Sequence, residues 1–252
     1  MLEPLKEAQV DALAEHFAGW IRAEVTAGGG CGAVFGLSGG IDSAVVAALA
    51  KQAFPHHTLG VVMPCHSDPR DAADGALVAH HFGVPSATVD LGPVYDLLLE
   101  QLAGSSSDLP ESRLATANLK PRLRMTTLYA FANQLGYRVL GTGNRSELAV
   151  GYFTKYGDGG VDLLPLGGLV KSEVRDLAAS LGVPARIIGK PPSAGLWADQ
   201  TDEAEMGLTY EELDAYVLTG AASPAVKAQV DAMTAASEHK RALPPIAPKP
   251  GV

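Results

Sequence analysis

Cysteine is nearly absent: Cys31 and Cys65 are the only two in 252 residues, far apart and outside any Cys-x-x-Cys spacing. This argues against a disulfide framework and makes a reducing, cytoplasmic setting the expectation. Long apolar runs are missing too. None approaches the roughly 20 residues that a membrane helix needs, so no membrane partner is expected. The opening residues, MLEPLK, lack the charged-then-apolar order of a secretion signal. Positive charge is in deficit, with 19 Lys and Arg against 28 Asp and Glu and a net charge of −9. So acidic a chain has no broad basic face for nucleic acid. If its ligands are polyanions, its few cations have to be gathered locally.

What is present is an ordinary globular balance, 47% apolar and 19% charged residues. The length suits one large α/β domain over the whole chain. The Pro-rich tail from Leu243 on is expected to be poorly ordered. Val10, Leu13, Phe17, Trp20 and Ile21 recur at helical spacing and predict a helix over 7–23. Strands are predicted at 33–37, 59–63, 86–89 and 138–141, with helices at 44–54, 71–82 and 122–135 between them. That alternation predicts βαβ units: an α/β fold with a mainly parallel sheet covered by helices on both faces. No internal repeat is visible. The Ser-rich stretch Gly104–Asp108 and the irregular run Lys190–Glu203 break the rhythm. Both are candidate lids over a bound ligand.

The first motif is SGGIDS, Ser38–Ser43, between a predicted strand and a predicted helix. Glycines let the backbone pass close to a ligand, and the helix that follows offers unpaired N–H groups and the positive end of its dipole. Ser38 and Ser43 add hydroxyls. No Lys-Ser/Thr pair follows, so this is not a Walker A loop. Asp42 is oddly placed beside an anion hole unless a divalent cation lies between carboxylate and phosphate. The plainer reading is a tight turn with Asp42 capping the helix. The whole string resembles the pyrophosphate loop of the N-type ATP pyrophosphatases, which cleave ATP between the α and β phosphates and adenylate a carboxylate or carbonyl oxygen.

Three cations crowd into five residues at Lys120, Arg122 and Arg124. Arg suits bidentate phosphate or carboxylate contacts, although a solvated helix start explains the run equally well. The strings GTGNRSE (141–147) and GYFTKYGDGGVDLLP (151–165) follow. The first stands directly after a strand, where open parallel sheets bind ligands. The second mixes glycines, aromatics, Lys155, Asp158 and Asp162, which suits a ligand carrying both phosphates and hydroxyls.

Together with NLKPRLRM, KPPSAGLW, QTDEAEMGLTYEELD and SEHKR in this order, these strings resemble the NAD synthetases over roughly Phe35–Arg241. The resemblance implies an adenine nucleotide α-hydrolase-like, Rossmann-like sheet and amidation of deamido-NAD by ammonia through an adenylated carboxylate. It implies ATP contacts at Ser38, Gly39, Gly40, Ile41, Asp42, Ser43, Thr142, Lys171 and Ser193. Asp42 and Glu147 would hold Mg²⁺, and Lys171 would reach phosphate. Arg122, Lys155, Asp162, His239 and Lys240 would bind deamido-NAD. Homodimers are implied, with free ammonia or a separate ammonia-supplying glutaminase as the nitrogen source, because no amidase region precedes these motifs. Ser193 stands where many members have Thr, and Asn144-Arg145 where some have a different pair.

The residues name no general base for ammonium, and Asp158 is the candidate. His56-His57 and His80-His81 lack metal-ligand spacing and read as solvated. Met63, at the end of the second strand, is a candidate for backbone contact with adenine. Another adenylating enzyme of the superfamily, such as a tRNA-thiolating one, would need catalytic cysteines and a basic face. A non-catalytic nucleotide-binding module would have no evident use for both Asp42 and Glu147.

Overall fold

The computed structural model describes residues 7–105, 112–197 and 200–248. Helix α1 (Glu7–Ala27) leads into strand β1 (Ala33–Gly36), then α2 (Ile41–Ala53), β2 (Thr58–Val62), α3 (Pro69–Phe82) and β3 (Ser86–Thr88). Next come α4 (Gly92–Ser105), α5 (Arg113–Ala117), α6 (Leu119–Leu135), β4 (Arg138–Val139) and α7 (Arg145–Val150). The chain closes with α8 (Lys171–Ser180), α9 (Ala185–Ile188), α10 (Asp202–Met206), α11 (Tyr210–Thr219), α12 (Pro224–Ala236) and α13 (Glu238–Arg241).

The strands form one parallel sheet in the order β3-β2-β1-β4. The chain runs outward from β1 through β2 to β3, then crosses back to place β4 on the other side of β1. Ligands in open parallel sheets bind at such a reversal, beyond the carboxyl ends of the strands. Alternate residues of the strands face opposite sides. Phe35 and Val62 pack with α1, α2, α3 and α8 on one face, whereas Val34, Val61 and Val139 pack with Tyr95, Leu128 and Ala132 of α4 and α6 on the other. The mainly apolar strands follow from this two-sided burial. A smaller cluster joins Val150, Met206, Tyr210, Leu213 and Val230 of α7, α10, α11 and α12.

Several predicted boundaries move. Helix α2 begins at Ile41 rather than at 44, so Asp42 and Ser43 lie in its first turn. The last strand keeps two residues of ladder, Arg138 and Val139, before Leu140 bridges to Leu163. Gly104 and Ser105 close α4, and the rest of the Ser-rich stretch lies outside the described residues. Helices α4 and α5 and the helices from α7 on lie in regions for which the sequence pattern predicts no element. From α9 on these are mostly short pieces whose apolar stripes serve local clusters, so their periodicity is weak. Among the described residues no helix is long and apolar enough to cross a membrane. Cys31 is exposed and Cys65 buried, and both are free thiols.

Candidate active site

The loop from β1 to α2 is shaped by Gly39. Its φ of +77° is left-handed, and a Cβ there would stand 2.5 Å from the Asp71 carbonyl oxygen and 2.7 Å from the Asp74 Cβ. A side chain is therefore excluded twice, by conformation and by the wedge of α3. Ser43 Oγ donates to the Gly40 carbonyl (2.9 Å), the Gly40 N–H donates to Ser38 Oγ (3.2 Å), and the two serine oxygens are 3.1 Å apart. The N-cap of α2 is Gly40, with no side-chain cap. Asp42 is thus not the cap, which corrects the plainer reading of the motif: its carboxylate is engaged elsewhere.

That engagement defines the site. Lys171 Nζ donates to Asp42 Oδ2 at 2.5 Å and stands 3.5 Å from Glu147 Oε1. Lys171 is 2% exposed, while the two acids keep 17% and 16% exposure. The two acids therefore reach solvent while the ammonium between them is buried. Burial opposes the charge on Lys171, but Asp42 and Glu147 outweigh it and raise its pKa. Burial pushes the Glu147 carboxyl up to about 8, with Lys171 pulling against it and Asp42 adding to it. Among the described residues no three His, Cys, Asp or Glu side chains form a metal-holding group. The pair Asp42 and Glu147 nevertheless presents two hard oxygen donors to one cation, and that donor set fits Mg²⁺ completed by phosphate oxygens and water.

Local chemistry explains how three distant segments meet here. Asn144 caps α7 reciprocally: its Oδ1 accepts from the Glu147 N–H (3.0 Å), and Glu147 Oε2 accepts from the Asn144 N–H (3.1 Å). Its remaining amide N–H, from Nδ2, reaches Asp42 Oδ1 at 3.1 Å. The α8 start is held by buried Asp214 of α11, which accepts from the Ser172 N–H (2.7 Å), the Lys171 N–H (3.3 Å) and Ser146 Oγ (2.5 Å). The Tyr210 ring lies 5.0 Å from Lys171 Nζ. Burial, then Glu147 and Asp202, push the Tyr210 phenol up, so it stays an O–H donor.

The segment after α9 begins at Lys190, which donates to Asp71 (2.7 Å) and to buried Asp74 (2.9 Å), with Gly39 O at 3.5 Å. Arg186 pairs with the other Asp74 oxygen at 2.7 Å. Ser193 Oγ accepts from the Gly195 N–H (3.1 Å) and is exposed. Leu196 is held on both sides, its N–H by Gln200 Oε1 (2.8 Å) and its carbonyl by Lys120 Nζ (2.7 Å). Thr142 lies half-buried in the loop between β4 and α7, two residues before Asn144. Arg124 donates to the Met63 carbonyl (3.2 Å) and to Ser67 Oγ (3.1 Å), so it is committed to the end of β2.

The second residue group gathers around loop 151–162. Lys155 Nζ donates to the His239 carbonyl and stands 5.3 Å from the Tyr156 ring. Arg122 donates to the Lys155 carbonyl at 3.5 Å. Lys240 donates to the Gly151 and Phe153 carbonyls at 2.7 and 2.8 Å. Arg122, Lys155, His239 and Lys240 are therefore brought together. Asp162 belongs to the sheet end, accepting from the Val139 N–H (2.8 Å) and from Tyr129 OH (3.1 Å). Asp158 accepts from the Thr154 N–H (2.9 Å) and has Lys240 as a charged neighbour, which places it with this group rather than with Lys171. Tyr156 holds φ +60°, a costly conformation for a bulky residue, and leaves its ring exposed.

Sequence reasoning missed Tyr210, Asp202 and Lys190 and left Asn144 without a role. The Asn-x-x-Glu spacing of a capping box was the available signal for Asn144. A model of the NAD synthase family matches residues 13–244. The chain belongs to the NAD synthase family. The NH(3)-dependent NAD(+) synthetase of Carboxydothermus hydrogenoformans is 50% identical over 232 residues, 92% of this chain and 95% of that relative. Among solved structures, the NMN synthetase of Francisella tularensis superposes with a TM-score of 0.89 at 35% identity, over 94% of this chain and 98% of that one. The NH3-dependent NAD synthetase of Campylobacter jejuni, in complex with nitrate, gives a TM-score of 0.77 at 27% identity, over 95% and 99%. Each of these two structures covers more than nine tenths of this chain.

Proposed function

We propose that the chain converts deamido-NAD to NAD with ATP and ammonia, releasing AMP and pyrophosphate. The observation that carries this reading is the convergence of Asp42, Glu147 and Lys171 at the head of the glycine loop. A carboxylate resists ammonia because oxide is a poor leaving group. One nicotinate oxygen therefore attacks the α-phosphorus of ATP, the bond to the bridging oxygen breaks, and pyrophosphate leaves. Ammonia adds to the acyl carbon of the mixed anhydride and loses a proton, and AMP departs to leave the amide. No protein nucleophile is needed, so the chain's work is positioning and charge neutralisation.

Backbone N–H groups and hydroxyls of Ser38, Gly39, Gly40, Ile41 and Ser43 hold phosphate, with Thr142 and Ser193 on the same nucleotide. Lys171 offsets charge on the leaving pyrophosphate. Asp42 and Glu147 would hold Mg²⁺, which when bound would neutralise phosphate charge. Arg122, Lys155, His239 and Lys240 seat the anionic dinucleotide, with Asp162 at its hydroxyls and Asp158 as the candidate proton acceptor. Free ammonia or a separate glutaminase supplies nitrogen, in the cytoplasm. A homodimer is supported by apolar side chains left exposed on α4, α5 and α6: Val94, Leu97, Leu102, Leu114 and Leu135.

One observation favours a second substrate. The F. tularensis NMN synthetase superposes better than the C. jejuni NAD synthetase, at 0.89 against 0.77. On that reading the same amidation acts on the mononucleotide. Incubation with ATP, Mg²⁺ and ammonium, offering the deamidated dinucleotide or the mononucleotide in parallel, decides between them. NAD formed at the higher kcat/KM supports the first reading, NMN formed at the higher kcat/KM replaces it, and no AMP release with either substrate refutes both.

A further inference from the structure

Tyr210 is the largest of the fully buried side chains, 1% exposed, yet its hydroxyl faces acids rather than apolar neighbours. The oxygen lies 3.0 Å from Asp202 Oδ2 and 3.3 Å from Glu147 Oε1. The second Asp202 oxygen accepts from Tyr152 OH at 3.2 Å, and Tyr152 also reaches Glu205 Oε2 at 2.8 Å. Glu205 in turn takes a hydrogen bond from Gln200, whose other amide atom holds the Leu196 N–H. A phenol has one proton. The one proton of Tyr152 is likewise shared, between Asp202 and the nearer Glu205, so the Tyr210 proton has two acceptors within reach, Asp202 and Glu147.

We infer that Tyr210 is a positioning residue, acting through Glu147: with its proton turned from Asp202 to Glu147 Oε1 when metal binds, its hydroxyl fixes the orientation in which that carboxylate meets a cation. The ring meanwhile stays against the Lys171 ammonium. The Asn144 N–H already tethers Glu147 Oε2, and a donor on Oε1 removes the freedom that remains while leaving lone pairs on both oxygens for a metal. This rests on the reading of Glu147 as a Mg²⁺ ligand.

The test is calorimetric titration of Mg²⁺ into the enzyme saturated with α,β-methylene-ATP, which cannot be cleaved between those phosphates. Tyr210→Phe keeps the ring and removes only the hydroxyl. It is expected to weaken Mg²⁺ binding about tenfold, the scale found for groups that orient metal ligands, while metal-free binding of the analogue stays within about twofold. Glu147→Gln, titrated alongside, tests the underlying reading. If Glu147→Gln binds Mg²⁺ as the wild type does, the metal role of Glu147 fails and this inference with it. If Glu147→Gln weakens Mg²⁺ but Tyr210→Phe does not, the inference alone is overturned. An equal loss of analogue and Mg²⁺ affinity in Tyr210→Phe marks a packing role and overturns it too.

Discussion

Lys171 Nζ lies 2.5 Å from Asp42 Oδ2, although 129 residues separate the two in sequence. Asp42 lies in the first turn of one helix and Lys171 opens another, so the pair ties the glycine loop to the start of α8. With Glu147 added, one buried cation serves two acids. Removing one member of such a set strands the others. We expect Lys171→Met to lose about 3–5 kcal/mol of stability without metal, the usual cost of breaking a buried pair. Mg²⁺ with ATP should restore part of it. Urea unfolding with and without Mg²⁺-ATP checks this, and an unchanged midpoint without ligand contradicts the pairing.

Asp42→Ala should reduce kcat at least about 10²-fold, the scale for removing a preorganised electrostatic group. AMP release is the assay. Near-normal turnover would remove Asp42 from the site.

Asn144 serves a helix cap and a contact with Asp42 at once. Asn144→Ala should cost about 1–2 kcal/mol through the cap. Asn144→Asp keeps the cap acceptor but places a third negative charge beside Asp42, so it should retain stability better than it retains activity. Parallel Tm and kcat/KM measurements separate the two effects.

The folded-state pKa of Glu147, about 8, lies above its ordinary value of 4.5. Below about pH 4.5 both folded and unfolded chains hold this proton. As pH rises toward 8 the unfolded chain releases it first, so its stabilising contribution is lost across that window. The metal-free enzyme should therefore show a Tm that falls more steeply between pH 5 and 8 than the Tm of Glu147→Gln, and parallel slopes would contradict the shift.

Lys155 is held between Arg122 and the carbonyl of His239, which is next to Lys240 in sequence. Lys155→Ala should raise KM for deamido-NAD well above any change in KM for ATP. Equal shifts in both would defeat the assignment.

Much of the architecture was legible because two-sided burial leaves a plain mark. Strands β1 and β2 are runs of apolar residues, and α1 repeats them at helical spacing. The glycine loop was legible for a similar reason, since a left-handed φ and a close backbone approach both demand glycine at Gly39. The run of Lys120, Arg122 and Arg124 stood out as charge crowded together in an acidic chain, whereas roles for Arg122 and Lys155 came only from the family resemblance. Tyr210 and Asp202 carried no such mark. A tyrosine in an amphipathic helix looks like core, and an acid in a helix's first turn looks like a favourable dipole contact.

Sequence alone thus determined the α/β class, the position of the glycine loop and the family, because each depends on local backbone demands or on contiguous strings. Only tertiary structure decided which charges lie together. That outcome depends on how α7, α8 and α11 dock at the end of the sheet. Distances between side chains far apart in the chain are set by packing, and no local pattern records them.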